Sequence, residues 1–164
     1  MPESIVIREI YTSEIDGCAE ILRRSFADVA AQFALTAENC PTNPAFITSE
    51  RLKSDKIGGA RMYALISGGE KAGFMAIKDI GGGIFSLEKL AVLPQFRHRG
   101  YGTALIDSCK STAAKTGGTA VTIGIIEENA VLRNWYEKHG FIHKGTAKFP
   151  HLPFTVGFME LPLA

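Results

Sequence analysis

The sequence predicts an α/β chain, in the looser sense α+β: a single mixed sheet of about seven strands flanked by helices. Three observations predict it. In the second half, strand-length apolar runs alternate with helical stripes, and strand–helix–strand order requires some parallel pairing. Other strands follow one another across glycine pairs, Gly68-Gly69 above all, which demands antiparallel hairpins. And 164 residues with 46% hydrophobic and 21% charged content are ordinary for a soluble domain with one sizeable core. With no internal repeat, low-complexity segment or linker, residues 1–164 read as one domain.

The elements follow in order. Residues 5–10, Ile-Val-Ile-Arg-Glu-Ile, read as a first strand. Thr12 or Ser13 can cap the next helix, and Ser13 with Asp16 has capping-box spacing. Ile15, Cys18, Ala19, Leu22 and Phe26 repeat at helical intervals, and Val29, Ala30 and Phe33 extend the stripe into one long helix or two consecutive ones. Residues 36–43, with Pro41 and Pro44, read as a loop, and residues 48–57 as a short polar helix ending at Gly58-Gly59. Strands at 61–67 and 72–78 form the glycine-joined hairpin, and Gly81-Gly82-Gly83 turns into a strand at 84–92. Pro94 ends that strand, because proline has no N–H for a ladder.

From Tyr101 the apolar spacing becomes helical, with Leu105, Ile106, Cys109 and Ala113 on one face and a left-handed cap expected at Gly117-Gly118. Residues 120–126 are β-branched and largely uncharged, as in a buried strand. Asn129 caps a helix with Val131, Leu132, Trp135, Tyr136 and His139 on one side; Lys138 suits its negative end and Gly140 closes it. Strands at 141–147 and 154–161 finish the chain around Pro150-His151-Leu152-Pro153.

Several functional classes are excluded. A net charge of +1 argues against general nucleic-acid binding, so phosphate affinity should be local. No apolar run reaches the length of a membrane span, and Met-Pro-Glu-Ser at the start lacks a signal-peptide core. Cys18, Cys40 and Cys109 are odd in number and lack metal-ligand spacing, so no metal is expected. Cys18 and Cys109 sit on apolar stripes and read as buried thiols. Together these features suggest a reducing, cytoplasmic setting.

Arg97, His98 and Arg99 followed by Gly100 and Gly102 lie between a strand and an amphipathic helix. Backbone N–H groups, the positive helix end and glycine's lack of a side chain make such a place suited to phosphate. It is not a P-loop, since no Gly-Lys-Ser/Thr follows, and Leu105 replaces the third glycine of a dinucleotide fingerprint. By itself the pattern also fits a plain helix start with two turn glycines.

Leu87-Glu88-Lys89-Leu90-Ala91-Val92-Leu93-Pro94, Arg97-His98-Arg99-Gly100-Tyr101-Gly102, and Asn129 through Trp135-Tyr136-Glu137-Lys138-His139-Gly140-Phe141 together resemble the GNAT (Gcn5-related) N-acetyltransferases. The Arg/Gln-x-x-Gly-x-Gly/Ala motif is matched at every fixed position, and the element order agrees over nearly the whole chain. The resemblance implies a sheet that splays between the strand before the motif and the following parallel strand, with acetyl-CoA in the wedge. The pyrophosphate would sit on the loop of Arg97, His98, Arg99, Gly100, Tyr101, Gly102 and Thr103. The pantetheine arm would pair along Leu90, Ala91 and Val92, and Asn129 would touch the cofactor as well as cap its helix.

Tyr136 occupies the family's general-acid position, although on a buried stripe it could simply pack. Glu88 is an acid inside an apolar strand. It is either paired to a neighbouring cation or the general base that this position supplies in many relatives, with Lys89 expected on the opposite face. His98 reads as a solvated loop residue, His139 as a helix end and His143 as a strand face, while His151 is the histidine to watch for acceptor contact. Relatives line the acceptor pocket with the regions that here hold Cys40, Phe46, Ile47, Phe26 and Phe33. The implied activity is acetyl transfer to a primary amine, on a small molecule or peptide, by direct attack in a ternary complex. No cysteine stands where an acyl-enzyme would need a partnering base. The alternatives are a catalytically silent acyl-CoA-binding regulatory module on the same fold and a nucleotide-binding protein. Relatives are often homodimers, and nothing in the sequence predicts an interface.

Overall fold

The computed structural model describes residues 4–163. Its strands are β1 Ile5–Glu9, β2 Arg61–Ser67, β3 Glu70–Gly81, β4 Ile84–Val92, β5 Ala120–Ile126, β6 Ile142–Lys148 and β7 Thr155–Pro162. Its α-helices are α1 Ile15–Gln32, α2 Ser49–Ile57, α3 Tyr101–Lys115 and α4 Ala130–Lys138, with 3-10 turns at Thr12–Glu14, Pro44–Phe46 and Pro94–Phe96. The strands form one sheet in the order β1-β2-β3-β4-β5-β7-β6. β4 and β5 run parallel, and the other neighbours are antiparallel. The expected mixed sheet flanked by helices is therefore the observed one.

The differences from expectation have local causes. β3 runs on to Gly81 rather than stopping at Lys78, because Lys78 and Asp79 still pair with Ser86 and Phe85 of β4. The 129–138 helix turns Val131 outward, 80% exposed, so its buried side is narrower than the apolar spacing suggested. The stripe of α1 is a single helix, ended where Ala34 takes φ +52°.

The predicted capping box of Ser13 and Asp16 does not form. Ser13 lies inside the 3-10 turn, and Glu14 reaches back instead to accept the Tyr11 backbone N–H at 2.7 Å. Glu14 also accepts both terminal nitrogens of Arg8, at 2.8 and 2.9 Å, and meets Lys71 Nζ at 2.9 Å. The Arg8 bonds first, then the Tyr11 N–H and Lys71, hold its carboxyl far below the usual range. A carboxyl depressed on folding adds stability that is fully present above its unfolded pKa and lost as pH falls toward the folded one. Glu14→Gln should therefore lower stability by roughly 1–2 kcal/mol at pH 7. Denaturant melts should show that gap closing below about pH 4, and a gap independent of pH would refute the charge-based account.

The main core packs Ile15, Cys18 and Leu22 of α1 and Leu105, Ile106 and Cys109 of α3 around the sheet. Burial pushes the Cys18 thiol up to about 11 and the Cys109 thiol to about 12, so both are inert packing groups. A smaller cluster joins Ala30, Leu35 and Cys40 to Ile126 at the end of β5. No helix is long and apolar enough to cross a membrane among the described residues.

Candidate active site

The parallel strands part early. β4 and β5 pair only through Ile84, Phe85 and Ser86 against Ala120, Val121 and Thr122. Beyond that point β4 keeps its β3 partners but leaves its β5-facing side without a strand. Leu93 N donates to Ala72 O across β3 at 2.8 Å. Backbone direction alternates along a strand, so the groups of Val92 face the gap. There its carbonyl accepts Arg97 Nε at 3.1 Å. Leu90 and Ala91 lie on the same stretch, Ala91 opposite Phe74.

At the mouth of the gap, Pro94–Phe96 leads into the loop before α3. His98 and Gly100 are left-handed, at φ +65° and +82°, and a side chain at Gly100 would meet open space. The first intrahelical bond of α3 runs from Ala104 N to Gly100 O, so the N–H groups of Gly102 and Thr103 have no acceptor within the helix. Gly102 is small for another reason: a Cβ there would come within 2.9 Å of the Trp135 ring.

The Arg97 guanidinium reaches back to α1, donating to Asp28 Oδ2 at 2.6 Å and to Ser25 O at 2.7 Å. Burial raises the Asp28 carboxyl, but the Arg97 bond and charge outweigh it and leave it lowered. Arg97 thus clamps the loop, β4 and α1 together. Arg99 stacks over Phe96 at 5.3 Å, and Tyr101 is buried with its hydroxyl 2.7 Å from Ser67 Oγ.

α4 forms the floor beyond the loop. Asn129 is buried and its side chain accepts Leu132 N at 3.1 Å, as an N-cap should. His139 Nδ1 donates to Trp135 O at 2.8 Å, which leaves Nε2 to accept the Thr103 hydroxyl at 2.8 Å. That chain ties the first turn of α3 to the last turn of α4. Tyr136 is 7% exposed, edge-on to Trp135 at 5.0 Å and Phe141 at 5.2 Å. Burial first, then the nearby Cys109, hold its phenol proton well above the ordinary range.

Glu88 sits on β4 opposite Ala76, just before a bulge at Lys89, whose φ is +55°. The bulge overturns the expected alternation. Lys89 does not face away from Glu88: its Nζ lies 3.5 Å from Glu88 Oε2 and 3.2 Å from Asp55 Oδ2 of α2. Ser86 Oγ donates to the other Glu88 oxygen at 3.3 Å. The extra residue breaks the two-residue period, which turns Lys89 toward its neighbour.

The sequence pattern of the acetyltransferase (GNAT) family matches residues 23–141. The chain belongs to the GNAT family. Solved structures agree on the fold of this GNAT protein. The ribosomal-protein-S18-alanine N-acetyltransferase of Escherichia coli superposes with a TM-score of 0.78 at 18% identity, covering 98% of this chain and 95% of that one. The PaiA N-acetyltransferase of Thermoplasma acidophilum, in complex with coenzyme A, gives 0.75 at 19% identity, covering 97% and 99%. A GNAT acetyltransferase of Staphylococcus aureus Mu50 gives 0.74 at 16%, covering 98% and 100%. A search of curated proteins by sequence finds no match.

Sequence reasoning missed one cluster of this GNAT protein. Glu127, just past β5, accepts His143 Nε2 at 2.8 Å and Arg133 at 3.0 Å, which fastens α4 to β5 and β6. The His143 bond, then Arg133, lower the Glu127 carboxyl despite burial. The three residues lie on separate elements, so no local spacing announces them. His151 sits beside Phe149 at 5.8 Å between rings, and His98 is exposed.

Proposed function

We propose that this protein is an acetyl-CoA-dependent N-acetyltransferase acting on a primary amine by direct attack in a ternary complex. The observation that carries the reading is the gap between β4 and β5, opening past Ser86 and Thr122 beside a strand edge and ending at an uncapped helix start. That arrangement suits a ligand with amides at one end and phosphates at the other. The coenzyme A found with the Thermoplasma neighbour supports the same choice.

In this reading acetyl-CoA supplies an activated acyl group and a thiolate that can leave. Leu90, Ala91 and Val92 orient the pantetheine arm. Because the Val92 carbonyl already accepts Arg97 Nε, Val92 contributes its N–H. Arg97, His98, Arg99, Gly100, Tyr101, Gly102 and Thr103 hold the pyrophosphate through backbone N–H groups, and Arg97 keeps the loop braced against α1. Asn129 fixes the start of α4. Glu88 takes the proton of the acceptor amine, and Tyr136 donates a hydrogen bond to the departing sulfur. Direct attack fits the cysteines, since Cys18, Cys40 and Cys109 are all buried.

The test pairs binding with turnover. Acetyl-CoA at about 100 times its Kd should stabilise by roughly 2.7 kcal/mol, or about 5–10 °C in Tm, while NAD and ATP should not. A panel of primary amines should release thiol from acetyl-CoA. Stabilisation without thiol release on any amine would make the protein a silent acyl-CoA-binding module, and stabilisation by NAD or ATP alone would remove the reading altogether.

A further inference from the structure

We propose that the acceptor is a primary amine on an aromatic or branched apolar skeleton that carries no carboxylate, an inference that rests on the acetyl-transfer reading above. It follows from which side chains share one face of the splayed sheet. Ser86 pairs with Thr122, and stepping two residues along each strand brings Glu88 and Gly124 to the same face on either side of the gap. Gly124 pairs in turn with Phe158 of β7, and Phe158 with Gly145 of β6. The Phe158 ring, 40% exposed, is therefore flanked on both strands by residues without side chains. An aromatic ring bordered by two bare backbones is a flat apolar platform.

The same face continues into the smaller cluster. Ile126, two residues on from Gly124, packs with Ala30, Leu35 and Cys40, and Phe33, Phe46 and Phe154 pack against that group. Glu88 thus borders an apolar and aromatic stretch on the β4 side, and Thr122 and Glu160 share the face beside Phe158, an arrangement that receives an ammonium with a hydrophobic body. Three cations of the bordering elements are already engaged. Lys89 lies between Asp55 and Glu88, Arg97 binds Asp28, and Lys144 faces Glu160 at 3.8 Å. An amino-acid carboxylate laid over Phe158 would have to break one of these pairs or lose its water without compensation.

Gly124 offers a clean probe. Its φ is not in the left-handed region, and a Cβ there would meet only Val156 Cγ1, at 3.6 Å. Gly124→Leu should therefore fold while covering the platform. With 2-phenylethylamine, L-phenylalanine, spermidine and a lysine-containing peptide as acceptors, thiol release should give 2-phenylethylamine a kcat/KM at least about tenfold above each of the others. Gly124→Leu and Phe158→Ala should each lower that value roughly 10–100-fold. Both variants should keep the melting shift given by acetyl-CoA, which separates loss of the acceptor from loss of the fold. Preference for spermidine, the peptide or phenylalanine would overturn the inference while leaving acetyl transfer intact. So would an aromatic preference undiminished in both variants. If acetyl-CoA binds but none of the four amines is acetylated, the inference falls as well, and the wider amine panel then decides whether the acetyl-transfer reading falls with it.

Discussion

Tyr136→Phe should lower kcat roughly 10²–10³-fold while the KM for acetyl-CoA and the Tm stay close to wild type. The reasons lie in how the ring is held. Its edge contacts with Trp135 and Phe141 use the carbon faces, which phenylalanine keeps. Burial is the leading cause that holds the phenol proton, and phenylalanine fills the same buried space. Against a thiol leaving group near ~8.5, a phenol already above ~10 gives up its proton uphill. In the proposed reading its work is then a hydrogen bond to charge growing on sulfur, which sets the expected loss at that of one oxyanion-type donor. Steady-state kinetics with saturating amine checks this. An unchanged kcat would return Tyr136 to a packing role, and a collapsed Tm would mean that the hydroxyl is structural.

Glu88→Gln should lower kcat/KM for the amine by roughly 10²-fold or more near neutral pH. Glutamine keeps the shape and still accepts from Ser86 Oγ, and Lys89 retains Asp55, so the bulge should survive the change. What disappears is the only proton acceptor of this group. Kinetics against amine concentration should place the loss in the amine's kcat/KM while the melting shift given by acetyl-CoA is kept. An unchanged kcat/KM would end the base role of Glu88.

These residues also show what the sequence could and could not reveal. Asn129 was legible as a cap because capping is local: the side chain bonds a backbone N–H three residues on. The glycine hairpin at 68–69 and the element order were legible for the same reason. The Lys89 bulge was not. Bulges with positive φ usually announce themselves with glycine, and here a lysine takes that backbone inside a strand, Ile84–Val92, that holds no glycine. The Arg97 clamp was hidden by distance, since Asp28 precedes it by 69 residues. Read locally, Arg97 was one more cation beside a phosphate loop; in the fold its guanidinium is a brace. The Ser13 box failed because spacing alone does not say where a helix begins. What the sequence showed of the site was its backbone, and what it concealed was the side-chain bonding between distant elements.

The short seam between β4 and β5 has a mechanical meaning. Among the described residues, three residue pairs of the strands join the leaf made of β1 to β4 to the leaf made of β5, β7 and β6, with the Thr119 N–H on the Gly83 carbonyl at one end. A flat chain of amides threaded between the leaves would lengthen that seam as an extra strand does, without moving any element of the fold. The ligand would act as a splint, completing a sheet that the polypeptide leaves unfinished.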